Sequence, residues 1–207
     1  MSKPNQFFVT GIGTDVGKTV VSAILVEALK ADYWKPIQSG MEPSTDSSKI
    51  KNWAPNHGQI HPETYLLKTP VSPHLAAKIE GVEITLDNIE LPSLENDLIV
   101  EGAGGILVPI NASQTMLDLM LKLALPVVLV SRHYLGSINH TLLSIELLKA
   151  KNIPIQLLVF NGSNPSSEEI ILKLSGIKNY FQIDEVETID VDFIQSQARR
   201  ILPFLIK

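Results

Sequence analysis

The chain contains no cysteine. That excludes a disulfide framework, a Cys-ligated zinc or iron–sulfur site and a thiol nucleophile, and it suits a reducing compartment. A long hydrophobic run is also missing. The most apolar window, residues 116–130, is broken by Asp118, Lys122 and Pro126, whereas a membrane span needs roughly 20 mostly apolar residues. Near the N-terminus, Lys3 is followed only by Phe7, Phe8 and Val9 as an apolar core, too short for a signal peptide. The expected address is therefore the cytoplasm, with no membrane partner. Nor is there an excess of basic charge: 17 Lys and Arg stand against 22 Asp and Glu, a net charge of −5, which argues against a nucleic-acid partner. What is present is an ordinary globular balance, 44% hydrophobic and 19% charged over 207 residues. A chain of that length can bury roughly 70% of its unfolded surface, so one domain spanning residues 1–207 is expected.

Short apolar runs alternate with amphipathic stretches. Residues 6–10, 33–37, 97–101, 126–131 and 153–160 read as strands; residues 18–30, 116–125, 138–150, 166–175 and 191–201 read as helices. Continuous apolar strands separated by helices predict an α/β fold, a mostly parallel sheet with helices on both faces. Residues 39–93 differ. They are rich in Pro, Ser, Asn and His with weak periodicity, and predict an irregular insertion that is functional or carries small helices.

The first strand runs into Gly11-Ile12-Gly13-Thr14-Asp15-Val16-Gly17-Lys18-Thr19, which opens the first helix. Glycines let backbone N–H groups turn inward around phosphate oxygens, and the helix N-terminus adds partial positive charge. Lys18 can reach the β- and γ-phosphates, and the Thr19 hydroxyl can bind Mg²⁺. Counted from Gly11, the loop is one residue longer than the strict G-x-x-x-x-G-K-[ST] pattern. The sheet is thus expected to be P-loop NTPase-like. Asp15 is unusual beside phosphates. It reads either as a helix cap or as a contact to a substrate amine or the nucleotide.

Three further segments accompany this loop: Lys35-Pro36-Ile37-Gln38-Ser39-Gly40, Glu101-Gly102-Ala103-Gly104-Gly105 and Gly136-Ser137-Ile138-Asn139-His140. Together they resemble the dethiobiotin synthetases, from Phe7 to about Asn161. That resemblance implies joining CO₂ to 7,8-diaminononanoate, with ATP and Mg²⁺, through a carbamate and its mixed anhydride with phosphate, in a homodimer. It implies Lys35 and Lys18 as catalytic residues. Thr14, Asp15, Val16, Gly17, Lys18, Thr19 and Val20 would hold the nucleotide, joined by Gly102, Ala103, Gly104 and the adenine-reading Asn161. Thr19, Asp46 and Glu101 would form the metal site, and Ser39, Ser137 and Asn139 would contact the substrate.

Elementary chemistry agrees. A carbamate and an ATP γ-phosphate are both anions, so bringing them together needs fixed positive charge, which Lys18, Lys35 and Mg²⁺ provide. Mg²⁺ keeps several waters and takes one or two carboxylates. Local alternatives remain. Lys35 also suits an exposed strand end, Asp46 stands in a loop full of helix-capping residues, Glu101 fits a turn, and Asn161-Gly162 is an ordinary turn signal. His57, His61 and His133 show no metal spacing and read as solvated; His140 reads as structural. Residues 180–186 lack the family's Gly-x-x-Pro, which puts base contacts from that segment in doubt. Three rivals share parts of the pattern. A partitioning or regulatory ATPase usually carries a second lysine early in the loop, where Gly11-Ile12-Gly13-Thr14 has none. A cobyrinate-type amide synthetase is normally joined to a glutaminase with a cysteine. A non-catalytic nucleotide-binding module would not need Lys18, Thr19, Lys35, Asp46 and Glu101 together.

Overall fold

Alternation along the central strands sets the layers. On β1 (Gln6–Gly11), Phe7 and Val9 join one hydrophobic cluster and Phe8 the other. On β6 (Leu98–Gly105), Ile99 takes the first side, Leu98 and Val100 the second. β7 (Val127–Arg132) divides the same way. A strand buried on both faces is apolar at nearly every position, which is why these segments read as near-continuous hydrophobic runs. Full burial of each such side chain contributes roughly 1.5–3 kcal/mol.

The computed structural model describes residues 4–93 and 95–205. Residues 1–3, including the early Lys3, and residues 94 and 206–207 lie outside the described part. With β2 (Asp32–Trp34), β4 (Ile60–His61), β8 (Ile155–Asn161) and β9 (Tyr180–Ile183), the main sheet has seven strands in the order β4-β2-β6-β1-β7-β8-β9, every pairing parallel. Helices α1 (Lys18–Leu29), α2 (Asp46–Trp53) and α7 (Val191–Leu205) supply residues to the Phe7 side. Helices α3 (Pro73–Glu80), α4 (Met116–Leu123), α5 (Ser137–Ala150) and α6 (Pro165–Ser175) supply the Phe8 side. The expected P-loop NTPase-like sheet with helices on both faces is what the chain forms.

Several details differ from expectation. The strand expected at residues 33–37 is two strands. Pro36 has no N–H to donate, so the ladder stops after Trp34, and β3 (Ile37–Ser39) pairs instead with β5 (Tyr65–Leu67) in a separate two-stranded sheet. Residues 39–93 carry small helices, one of the two expected alternatives, in α2, α3 and a 3₁₀ turn at Leu86–Asn88, but they also hold β5, and β4 joins the main sheet beside β2. Asp46 is accordingly not in a loop. It is the first residue of α2, and Thr45 is the cap, accepting from Ser48 N at 3.2 Å. The edge strand β9 was not anticipated, and α7 runs to Leu205 rather than residue 201.

At the start of α4, Asp118 Oδ2 accepts from Thr115 N at 2.7 Å and from Thr115 Oγ1 at 2.9 Å. Those bonds keep its carboxyl below the usual range despite some burial. Asp118→Ala is expected to destabilise the fold by about 1 kcal/mol, the usual cost of a lost cap. Denaturant unfolding should show a lower midpoint with an unchanged slope.

Candidate active site

The loop after β1, the segment after β2 and the end of β6 are neighbours because β2, β6 and β1 are adjacent in the sheet. Ligands bind at the carboxyl ends of strands in open parallel sheets, and a cavity of about 740 Å³ lies there. It is lined by Thr14, Asp15, Gly17, Lys18, Thr19 and Val20 of the loop, by Lys35, Ser39 and Asp46, and by Glu101, Ala103 and Gly104.

The loop itself requires particular backbone. Gly17 has φ 95° and caps α1 without a side-chain bond. A Cβ there would sit 2.2 Å from Asn161 Nδ2, so the position accepts only glycine. Asp15 has φ 56°, a left-handed conformation that aspartate tolerates better than most residues. Since Gly17 is the cap, the capping alternative for Asp15 does not hold. Its carbonyl accepts from Arg132 Nη1 at 3.1 Å. The first turn of α1 contains no acidic residue, leaving its N–H groups to favour an anion.

Lys18 is buried, and its Nζ donates to Gly13 O at 2.9 Å. Burial pulls its ammonium below the usual lysine range, with Glu101 offsetting part of the effect. Lys35 is not an exposed strand end: it is buried and bridges two carboxylates, Asp46 Oδ2 and Glu101 Oε1, the latter at 3.1 Å. Burial opposes its charge, yet Glu101 and Asp46 outweigh it and hold the ammonium above the usual range. For Asp46, burial pushes the carboxyl up, but Lys35 and Lys49 bring it down to about 2. Thr19 Oγ1 donates to Glu101 Oε1 at 2.9 Å. Cations and carboxylates therefore interlock at the floor of the cavity.

A family profile described as an AAA domain matches residues 5–191. An ATP-dependent dethiobiotin synthetase from Christiangramia forsetii is 49% identical over 199 residues, 95% of this chain and 96% of the relative. Its counterpart from Cytophaga hutchinsonii is 50% identical, with the same coverage of each chain. The chain belongs to the dethiobiotin synthetase family. Solved structures show the same fold at low identity. A plasmid partition protein from Borrelia burgdorferi superposes with a TM-score of 0.59 at 16% identity, covering 98% of each chain. A ParA-family ATPase from Chlorobium tepidum gives 0.56 at 14%, covering 98% of this chain and 92% of its own.

As a dethiobiotin synthetase the chain is an ATP-dependent ligase, and its donor set suits Mg²⁺. Among the described residues no three His, Cys, Asp or Glu side chains form a metal cage. Mg²⁺ does not need one: Glu101 Oε1 and Asp46 both meet Lys35, Thr19 Oγ1 is hydrogen-bonded to Glu101 Oε1, all three are hard oxygen donors, and waters can complete the shell.

Not every site residue expected of a dethiobiotin synthetase faces this cavity. The Cα of Gly102 packs towards Phe8 and Met116, where a Cβ would meet Phe8 at 2.8 Å; Val16 is buried, and its carbonyl accepts from Asn161 Nδ2 at 3.0 Å. Asn161 instead lines a second cavity of about 260 Å³, which shares Asp15, Gly17 and Val20 with the first. Ile183, Asp184, Glu185 and Val186 wall that cavity, so the segment lacking Gly-x-x-Pro still closes it. Ser137 and Asn139 line neither cavity. Ser137 is buried, its Oγ accepting from Tyr134 N at 3.3 Å, whereas Asn139 is exposed.

The histidine readings change as well. His61 is buried and meets Asp32 Oδ2 at 3.2 Å, because β4 lies beside β2. His133 pairs with Glu168 at 3.0 Å and stacks on Phe160. Neither is solvated. The sequence reading also missed Lys49, whose Nζ is 3.1 Å from Asp46 Oδ1, and Tyr33, whose hydroxyl donates to Glu101 Oε2 at 2.9 Å. Lys49 had a signal, the i,i+3 spacing from Asp46 on α2.

Proposed function

We propose that the chain carboxylates 7,8-diaminononanoate with CO₂ and closes the ureido ring to dethiobiotin, using ATP and Mg²⁺. The observation that carries this reading is the joining of Lys18, Thr19, Lys35, Asp46 and Glu101 at one cavity, in a chain about half identical to dethiobiotin synthetases over nearly its whole length.

One substrate amine attacks CO₂ and loses a proton, forming a carbamate. A carbamate oxygen then attacks the γ-phosphorus, and ADP leaves. The second amine attacks the carbonyl of the resulting mixed anhydride and loses a proton, and phosphate departs as the ring closes. The protein's part is positioning and charge. Lys18 and the N–H groups of the first α1 turn hold the β- and γ-phosphates. Lys35 stands where the carbamate and the transferred phosphoryl group meet. Thr19, Asp46 and Glu101 would hold Mg²⁺, which neutralises phosphate charge when bound. Ser39, whose buried Oγ has no partner among the described residues, contacts the substrate. Asn161 and the walls of the smaller cavity receive the base.

In this reading residues 1–207 form a single domain, cytoplasmic in address, and the working unit is a homodimer. No helix among the described residues is long and apolar enough to cross a membrane. The substrate's carboxylate lies several carbons from its amines and needs a separate anion site. The start of α5 offers exposed Asn139 beside exposed Leu135, Leu143 and Tyr134, which suits a helix end covered by, and serving, a neighbouring subunit.

The direct test is a product assay with diaminononanoate, bicarbonate and several nucleoside triphosphates; dethiobiotin must form only when all three components are present. Subunit mixing tests the shared site. A Lys35→Ala chain combined with an Asn139→Asp chain should regain up to half the activity per site, since a mixed dimer has one site with both defects and one with neither. No recovery despite demonstrated mixing removes the shared site, and a fully active monomer removes the dimer requirement.

A further inference from the structure

Tyr33 is wholly buried on β2. It is paired in register with Ile99 of β6, so Glu101, two residues further along β6, projects to the same face. The phenol donates to Glu101 Oε2 at 2.9 Å. The other oxygen, Oε1, accepts from Thr19 Oγ1 at 2.9 Å and Lys35 Nζ at 3.1 Å. The two oxygens are thereby sorted, one to a buried phenol and one to the groups of the cavity floor. The Tyr33 ring belongs to the core cluster on the α1 side, a role that phenylalanine would fill equally well. What the hydroxyl adds is the bond to Glu101.

We propose that Tyr33 is a positioning residue that restricts Glu101 to one-oxygen coordination, and so favours Mg²⁺ over larger divalent cations at this site. The proposal rests on the reading of Glu101 as a metal ligand. Mg²⁺ requires near-octahedral geometry at about 2.0–2.1 Å, whereas Ca²⁺ accepts bidentate carboxylates at about 2.3–2.6 Å. A buried donor that fixes the direction of one oxygen disfavours presenting both to a single metal, whereas the donors on Oε1, Thr19 and Lys35, belong to the cavity floor where the metal would sit. Outer-shell partners of metal-ligating groups typically account for roughly 10–100-fold in affinity.

The test measures binding of a non-hydrolysable ATP analogue to the intact protein in EDTA, in excess Mg²⁺ and in excess Ca²⁺. The increase over EDTA reports the metal's contribution without turnover. Tyr33→Phe should leave the EDTA affinity unchanged, lower the Mg²⁺ increase by about tenfold and spare the Ca²⁺ increase. Glu101→Gln should remove most of the Mg²⁺ increase, and adding Tyr33→Phe to it should change nothing more. If Glu101→Gln loses the Mg²⁺ increase while Tyr33→Phe keeps it, with Mg²⁺ and Ca²⁺ in their original ratio, the role of Tyr33 is overturned and the metal site stands. If Glu101→Gln keeps the Mg²⁺ increase, the metal assignment fails and this proposal fails with it. Should Tyr33→Phe lower affinity equally in all three conditions, its effect is general to the fold and the proposal is overturned.

Discussion

Lys18→Ala is expected to lower dethiobiotin formation by about 10²–10³-fold, the usual cost of deleting a group aimed at developing transition-state charge. The fold should not suffer. Lys18 Nζ donates only to Gly13 O among the described residues, and burial has already pulled its pKa down. A lysine with a lowered folded pKa binds its proton less tightly when folded than when unfolded. Below that folded pKa its charge therefore costs stability, so deleting it at neutral pH should leave the melting temperature unchanged or slightly raised. Loss of activity with retained stability separates a phosphate ligand from a packing residue. Near-normal turnover in a well-folded variant would remove Lys18 from the reaction and, with it, the assignment of the loop.

The fold was legible where one physical signal was dominant. A short apolar run rich in β-branched residues and opened by a proline, such as residues 126–131, fits a strand buried on both faces, and residues 116–125 show the helical period. It was less legible where pairing across the sheet decided the outcome. Nothing local to residues 60–61 marks an edge strand; β4 exists because β2 offers it a partner. That same pairing buries His61 against Asp32. The split between β2 and β3 was readable in principle, since Pro36 cannot donate to a ladder.

The site divides along similar lines. Lys18 and Thr19 open the helix that the loop after β1 feeds, and Glu101 lies within β6, so motif and position coincide. Lys35 and Asp46 were named from a resemblance, and their mutual ion pair depends on β2 and the start of α2 meeting above β6. Tyr33 could not be found at all without the strand order, because its partner lies 68 residues away. The fold alone does not separate this chain from partitioning ATPases, whose structures superpose on it at 14–16% identity. The distinction lies in which side chains occupy the strand ends.

Lys35→Gln is expected to act in opposite directions on chemistry and on metal binding. The Lys35 ammonium bridges Asp46 and Glu101, the carboxylates proposed to hold Mg²⁺. Removing it takes away the cation facing the carbamate and γ-phosphate, so kcat should fall by about 10²–10³-fold. The nucleotide should bind nearly as well, because Lys18 and the α1 N–H groups remain. Without metal, the variant leaves two carboxylates together, Glu101 fully buried and Asp46 only 15% exposed. Breaking a buried pair in this way typically costs about 3–5 kcal/mol. Mg²⁺ with a non-hydrolysable ATP analogue should recover much of that stability, since the metal then supplies the missing charge. Thermal unfolding with and without Mg²⁺ and the analogue, beside steady-state kinetics, checks both halves. A variant with lost nucleotide affinity but intact kcat would make Lys35 a phosphate clamp. One whose metal-free stability equals that of the native protein would show that the ammonium does not hold the two carboxylates together.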